Sequence, residues 1–132
     1  MFPERLIEAE TLHPTETGFS TGLRLPWYRA LPLSCIERIE ITVDGAPVPQ
    51  DAVWFSIPTS GPHRFSELAT LTDVWWYVLD SAELTVEHPV AAQPGTHEVS
   101  VAMGLHIPYL PVAGKPLVNL DKCTAQLEVA SR

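Results

Sequence analysis

The sequence predicts an all-β protein, an antiparallel β-sandwich or barrel of about eight strands, in a single domain over residues 1–132. Three observations lead to this class. Apolar and polar residues alternate in several short segments, prolines and glycines separate these segments, and the only helical signal is one turn at residues 66–71 with Ser66 as its cap. A chain of this length buries about two-thirds of its unfolded surface, enough for a core without metal or disulfides.

The clearest strand signal runs over residues 36–43, where β-branched residues alternate with Glu40 and Thr42. An Asp-Gly pair follows at positions 44–45. Because both residues accept positive φ angles, the pair predicts a tight hairpin turn. We therefore expect the chain to fold back after this strand toward residues 52–57 and to begin a meander there.

Further strand patterns follow along the chain. Residues 19–25, 82–88, 97–107 and 123–129 alternate between apolar and polar positions, as half-buried strands do. Residues 74–79 are bulky on both faces, which predicts a strand covered on both sides, with a partner against one of them.

A stiff loop precedes the first long strand. Pro26 and Pro32 bracket Trp27, Tyr28 and Arg29, and the prolines exclude a regular helix or ladder. Large rings and guanidinium groups are enriched at the energetic centres of interfaces. We expect these three bracketed residues at a partner interface, and the alternative is a loop folded onto its own core.

The search for catalytic chemistry predicts neither a catalytic residue nor a metal site. There is no His-x-His pair with a spaced Glu and no His-Glu-x-x-His motif, so ordinary surface or interface histidines are favoured over metal ligands. The serines lack a nucleophile elbow, and the carboxylates occupy outward strand positions. The five candidate histidines are His13, His63, His88, His97 and His106.

Charge and cysteine content further restrict the function and the location that this protein can have. The formal net charge of −8 repels a phosphate backbone, and no segment has the length or the basic face for a membrane. Cys35 and Cys123 lack the spacing of a zinc site. Two free thiols are the favoured interpretation, and a disulfide between these cysteines is the alternative. Since residues 1–10 carry no long apolar run for export, we expect a cytoplasmic protein.

Four segments together resemble the small beta subunit of bacterial C-glycoside deglycosidases. They are GLRLPWYRALPLS at residues 22–34, IERIEITVDG at 36–45, PGTHEV at 94–99 and LHIPYLP at 105–111. The resemblance covers the chain from about residue 18 to residue 111.

The resemblance implies an accessory subunit of a lyase-type complex that is not catalytic alone. Its larger, barrel-type alpha subunit would bind a divalent metal, with Mn²⁺ as the candidate, and cleave the carbon–carbon bond between a 3-oxo sugar and its aglycone. The 3-oxo C-glycoside would lie at or near the subunit interface. His106 and Tyr109 follow a long predicted strand, so we expect them at the rim of the partner's pocket.

Two alternatives stay open from the residues alone. A sugar-binding β-sandwich module could stack sugar rings on its tryptophans, which are Trp27, Trp54, Trp75 and Trp76. A small metal-dependent sugar enzyme could instead use some of the five histidines. An obligate larger partner would support the accessory subunit. Sugar binding by the isolated chain would support the module, and stoichiometric metal would support the enzyme.

Overall fold

The described residues form an antiparallel β structure with eleven strands, which confirms the predicted all-β class. The computed structural model describes residues 6–25, 29–77, 79–112 and 115–130, without the side chains of residues 9, 108–112 and 115–117. In chain order the strands are β1 (Ile7–Pro14), β2 (Gly18–Leu23), β3 (Leu31–Pro32), β4 (Ile36–Val43), β5 (Ala46–Pro47), β6 (Val53–Ile57), β7 (Ser60–Arg64), β8 (Trp75–Trp76), β9 (Ala82–Glu87), β10 (Gly95–Val112) and β11 (Lys115–Val129). Three of them, β3, β5 and β8, have only two residues, and the longer strands number eight as predicted.

The strands form two large sheets and one small ladder. The first sheet has the order β1-β2-β9-β6-β7, and the second has the order β11-β10-β4-β5. The small ladder pairs β3 with β8. Every pairing between the described strands is antiparallel.

The core lies between the two large sheets. Alternate residues of β10 from Val99 to Ile107 are fully buried, as the sequence pattern predicts. They belong to the same buried cluster as Phe19 of β2, Phe55 of β6 and Leu84 of β9, so the sheets pack face to face. Each large side chain buried in this way contributes roughly 1.5–3 kcal/mol to folding.

The predicted hairpin turn is present, but the predicted continuation is wrong. Asp44 and Gly45 have φ angles of 51° and 85°, as a type I′ turn requires, and Val43 pairs with Ala46 across it. The return strand β5 then ends after two residues, because prolines 47 and 49 have no N–H to donate to a ladder. The chain crosses to the other sheet, where β6 pairs with β7 and β9.

The predicted strand at residues 74–79 is much shorter than expected. Only Trp75 and Trp76 form strand β8, opposite Pro32 and Leu31. Trp76 is buried, whereas Trp75 is 42% exposed. Within the described part of the chain, the segment is therefore covered on its Trp76 side only.

Strand β10 continues past Pro108 as far as Val112. Its pairing with β4 stops at Leu105, and its pairing with β11 is irregular between Ile107 and Pro111. A proline is tolerated there because the strand has lost one neighbour and the ladder is interrupted.

Helix is scarce, as predicted. The only α-helix of the described ranges, α1 (Phe65–Leu68), begins before Ser66, so Ser66 lies inside the turn and does not cap it. The Glu67 carboxylate accepts a hydrogen bond from the Arg64 N–H at 2.7 Å instead. No helix in this part of the chain is long and apolar enough to cross a membrane.

Candidate functional site

Trp76 anchors to the core the short stretch of bulky residues at 74–79, which we call the aromatic segment. Its ring is 1% exposed and meets Phe55 edge to face, with centroids 5.3 Å apart and planes at 68°. Its indole Nε1–H donates to the Asp80 carbonyl at 3.0 Å. At the start of the segment, the Leu33 N–H donates to the Val74 carbonyl at 2.8 Å. Both ends of the segment are thus held in place.

Beside this anchor, three large apolar side chains face solvent. Trp75 is 42% exposed, Tyr77 is 56% exposed and Leu79 is 86% exposed. We call Trp75, Tyr77 and Leu79 the aromatic ridge. Clustered apolar exposure of this kind marks interaction sites in soluble proteins more often than single exposed residues do.

A polar network lies against the end of the ridge. The Arg24 guanidinium donates through Nη1 to the Leu79 carbonyl at 3.1 Å, and its Nε lies 3.1 Å from the Glu8 carboxylate. The other oxygen of Glu8 accepts from the Ser81 hydroxyl at 2.8 Å. These groups satisfy one another, so they fix the backbone at Leu79 without presenting an unpaired charge.

The predicted interface loop leads into the strand that pairs with this segment. Trp27 and Tyr28 fall outside the described residues, and Arg29 is exposed. Two residues after Arg29 the chain enters β3, where Leu31 pairs with Trp76. The interface role of Trp27, Tyr28 and Arg29 stays a prediction.

His106, one of the two predicted rim residues, lies on β10 beside Glu37. Its Nδ1 is 3.0 Å from a Glu37 carboxylate oxygen but is too poorly aligned for a hydrogen bond. Among the described residues this shielded nitrogen has no hydrogen-bond partner. Tyr109 lies farther along β10, with its side chain outside the description. The structure leaves the rim role of both residues as a prediction.

A second apolar surface lies on β11. Val118 and Leu120 are 48% and 63% exposed, and they pair with His106 and Gly104 of β10. We call Val118 and Leu120 the outer β11 surface. The Leu120 side chain covers Gly104, since a Cβ added to that glycine would lie 3.0 Å from Leu120 Cδ2.

His97 has acceptors at both ring nitrogens. Nδ1 lies 2.7 Å from the Asp44 carboxylate and Nε2 lies 2.7 Å from the Gln93 carbonyl. The hydrogen bond to Asp44 and then that to Gln93 raise the pKa of His97. The same contact with His97, together with the Glu98 backbone N–H, lowers the pKa of Asp44. The arrangement suits an imidazolium paired with a carboxylate.

Ser60, His63 and Glu67 lie in a line that resembles a catalytic triad, which the sequence did not predict. The Ser60 hydroxyl is 2.7 Å from His63 Nε2, but His63 Nδ1 is 3.8 Å from Glu67 Oε1. That distance exceeds hydrogen-bond length. Glu67 Oε1 instead accepts from the Arg64 N–H, so the acid caps α1 and does not orient the imidazole.

The remaining histidines also make local contacts. His13 Nδ1 lies 2.7 Å from the Thr11 carbonyl, and His88 Nδ1 accepts from the Val90 N–H at 3.0 Å. Within the described ranges, no three His, Cys, Asp or Glu side chains come close enough to hold a metal ion. Cys35 is a buried free thiol, and burial followed by the charge of Glu37 raises the pKa of Cys35.

A shallow cleft of about 880 Å³ opens where the β1–β2 turn approaches the segment between β9 and β10. Its walls are mainly proline and alanine, with two carboxylates at the side. The lining residues are Glu16, Thr17, Glu87, His88, Pro89, Ala91, Ala92, Pro94 and Ala130. Two carboxylates, one hydroxyl and one imidazole are among these lining groups.

The sequence missed which side chains of the aromatic segment are exposed. A run of bulky residues does not tell burial inside the chain from burial against a partner. The one available signal was polarity at the edges, because Asp73 precedes the segment and Asp80 follows it. Acidic residues are rarely buried without a partner, which limits how deep the segment can lie.

Comparison with known proteins gives a consistent set of relatives. A profile of the C-glycoside deglycosidase beta subunit family matches residues 2–109. The 3′-dehydrocarminate deglycosidase beta subunit of Microbacterium sp is 44% identical over 130 residues, which are 98% of this chain and 96% of that protein. The C-glycoside deglycosidase beta subunit of Microbacterium trichothecenolyticum is 37% identical over 92% of both chains, and one from Arthrobacter globiformis is 40% identical over 83% of both.

Proposed function

Because this chain belongs to the C-glycoside deglycosidase beta subunit family, we propose that it is the accessory subunit of a heteromeric C-glycoside deglycosidase. The complex cleaves the carbon–carbon bond between a 3-oxo sugar and its aglycone. The observation that carries this proposal is 44% identity to a deglycosidase beta subunit over nearly the whole of both chains.

The chemistry is assigned to a larger, barrel-type alpha subunit. In this lyase-type reaction a base removes a proton next to the 3-oxo group, the bond from the sugar to the aglycone carbon breaks, and that carbon takes up a proton. The alpha subunit also holds the divalent metal, with Mn²⁺ as the candidate. The 3-oxo C-glycoside lies at or near the interface, where His106 and Tyr109 would border the pocket.

The contacts of the histidines support an accessory role. Both ring nitrogens of His97 face acceptors, and His88 uses Nδ1 to accept from its own turn. A general base needs a free ring nitrogen directed at substrate. His97, with both ring nitrogens engaged, therefore acts as a structural contact, whereas the contact of His88 with its own turn uses one of its two ring nitrogens.

We place the complex in the cytoplasm. Cys35 is a free thiol, and thiols persist in a reducing compartment. A cytoplasmic site also suits a substrate that another enzyme must first oxidise to its 3-oxo form.

A sugar-binding module is the second candidate, and the exposed ring of Trp75 is what favours it. The other described tryptophans are unsuited to stacking on a sugar. Trp76 is buried, and the Arg64 guanidinium lies 3.9 Å above the Trp54 ring. One exposed indole is a weak platform compared with the several rings that such modules align.

Co-purification tests the proposal. A tagged copy of this chain is co-expressed with its cognate alpha subunit, which we expect to be encoded by the adjacent gene. We expect the two chains to elute together from a sizing column in a fixed ratio. Elution of the chain alone, with calorimetric binding of a C-glycoside to it, would support the sugar-binding module instead.

A further inference from the structure

We infer that the aromatic ridge of Trp75, Tyr77 and Leu79 is the surface on which the alpha subunit docks, an inference that rests on the proposed function. The ridge presents two aromatic rings and the most exposed large apolar side chain among the described residues, with Leu79 at 86%. Trp and Tyr are enriched among the few residues that dominate binding energy.

The ridge is pre-organised for docking. Trp76 lies between two ridge positions and is held by Phe55 and by the Asp80 carbonyl. Pro32 pairs with Trp75, and Arg24 holds the Leu79 carbonyl. Because the backbone is already fixed, association orders only the exposed side chains and loses little additional entropy.

The chemistry of the ridge fits an apolar protein surface better than a sugar. A sugar needs hydrogen-bonding groups beside the rings to satisfy its hydroxyls. Here the neighbouring polar groups already bind one another, since Arg24 binds Glu8 and Leu79, and Ser81 binds Glu8. Satisfied groups of this kind add little desolvation cost when a protein covers them.

The occupant is therefore an apolar recess of the alpha subunit, the partner implied by membership of a beta subunit family. The acidic Asp73 lies on the chain just before the ridge and is exposed, and this chain carries a net charge of −8. We expect Lys or Arg at the edge of that recess, because complementary charge around an apolar centre raises the association rate.

The outer β11 surface is a weaker candidate for this contact. Leu120 already covers Gly104, and the Arg38–Glu40 ion pair, 3.5 Å between nitrogen and oxygen, lies on β4, on the other side of β10. Charged residues are depleted at interface centres. This surface therefore supplies a matched control, since Leu120 is also an exposed leucine, at 63%.

The test measures the affinity of the purified chain for its cognate alpha subunit by calorimetry. The variants are Leu79→Asp, Trp75→Ala and the control Leu120→Asp. We expect the Kd to rise about 30-fold or more for each ridge variant, the level of a hot spot, and less than about 3-fold for Leu120→Asp. Thermal melting verifies that all three remain folded, and Leu79→Asp keeps the test valid if Trp75→Ala melts early.

The outcomes separate this inference from the proposed function. If the wild-type chain binds the alpha subunit and both ridge variants bind equally well, the ridge is not the docking surface, while the proposed function stands. If Leu120→Asp alone loses binding, the outer β11 surface is the interface. If Leu79→Asp instead abolishes self-association of the isolated chain and leaves alpha-subunit binding unchanged, the occupant is a second copy and the inference fails.

Discussion

The Nδ1 atom of His97 lies 2.7 Å from Oδ2 of Asp44, and this contact ties the hairpin turn after β4 to the start of β10. The second oxygen of Asp44 accepts from the Glu98 N–H at 2.8 Å, and the Asp44 N–H donates to the Glu98 carbonyl at 2.8 Å. The turn residue with positive φ is therefore held by its backbone and by its side chain. The side-chain contact between His97 and Asp44 depends on the charge of both groups.

Folding stability should depend on pH through this pair. The pKa of His97 is raised. Its contribution to the free energy of unfolding is therefore complete below the ordinary pKa of about 6.5 and is lost as pH rises through the raised value. The pKa of Asp44 is lowered, so its contribution is present above about pH 4 and is lost as pH falls through the lowered value. We expect urea midpoints to fall as pH rises from 6 toward 8.

The variant Asp44→Asn isolates this effect. Asparagine tolerates the positive φ and still accepts from the Glu98 N–H, but it carries no charge to hold the imidazolium. Its urea midpoint should fall less than that of the wild type over the same pH range. Parallel curves for the two proteins would show that the pair does not set the pH dependence. The other nearby groups, His88 and Glu128, are unchanged in the variant.

Gly18 should tolerate no side chain, whereas Gly104 should tolerate alanine. A Cβ at Gly18 would overlap the Val86 carbonyl oxygen in the β2–β9 ladder, and backbone cannot move aside. We expect Gly18→Ala to lower the free energy of unfolding by about 3 kcal/mol or more.

In the matched change Gly104→Ala, the added Cβ would lie 3.0 Å from the flexible end of Leu120 and 3.3 Å from the Cβ of Arg38, so these neighbours need to shift by only a few tenths of an ångström. The strand also gains from replacing glycine, so the free energy of unfolding should stay within about 1 kcal/mol of the wild type. Chemical denaturation of both variants measures the difference. Equal losses would contradict the register of β2 against β9.

Much of the fold follows from local pattern. The alternation in β10 correctly predicts its buried face, and Asp44-Gly45 correctly predicts the turn. Local pattern does not predict which strands pair with each other, because pairing depends on which strand edges remain free. Residues 52–57 carry an ordinary strand pattern, and only the short β5, limited by its prolines, explains why β6 joins the other sheet.

The candidate site is less accessible to prediction. The aromatic segment is bulky on both faces, and the sequence predicts cover on both sides. Among the residues that the structure describes, cover is supplied on the Trp76 face alone. Composition records that a face is apolar, but it does not record whether the same chain or another chain covers it.

Trp27 should contribute to association more than to folding. The loop that holds it is braced by Pro26 and Pro32, so it loses little entropy on docking. Replacing Trp27 by Ala should cost about 2 kcal/mol or more of association with the alpha subunit, with little loss of monomer stability. Calorimetry and thermal melting measure the two effects.

The contrasting variant is Trp76→Ala. Its ring is 1% exposed, so truncation should lower the free energy of unfolding by about 3–5 kcal/mol. If Trp27→Ala melts as early as Trp76→Ala and still binds the alpha subunit normally, Trp27 is a core residue.

His106 and Tyr109 should affect substrate affinity more than turnover. Both lie on the long β10 scaffold, and in the proposed division of labour they shape the pocket rim while the alpha subunit carries the chemistry. In the reconstituted complex, His106→Ala and Tyr109→Phe should raise KM while kcat stays within about tenfold of the wild type. Glu37→Gln serves as the control for the loss of the neighbouring charge. A fall in kcat of several orders of magnitude with the complex intact would make one of them a catalytic residue.

The division of labour between the two subunits is tested most directly by single-subunit turnover. Cleavage of a 3-oxo C-glycoside is measured with this chain alone, with the alpha subunit alone and with both, after metal analysis of each preparation. We expect no turnover and no stoichiometric metal for this chain alone, and full turnover only when the alpha subunit is present. Measurable turnover by this chain alone, free of alpha subunit, would contradict the accessory role.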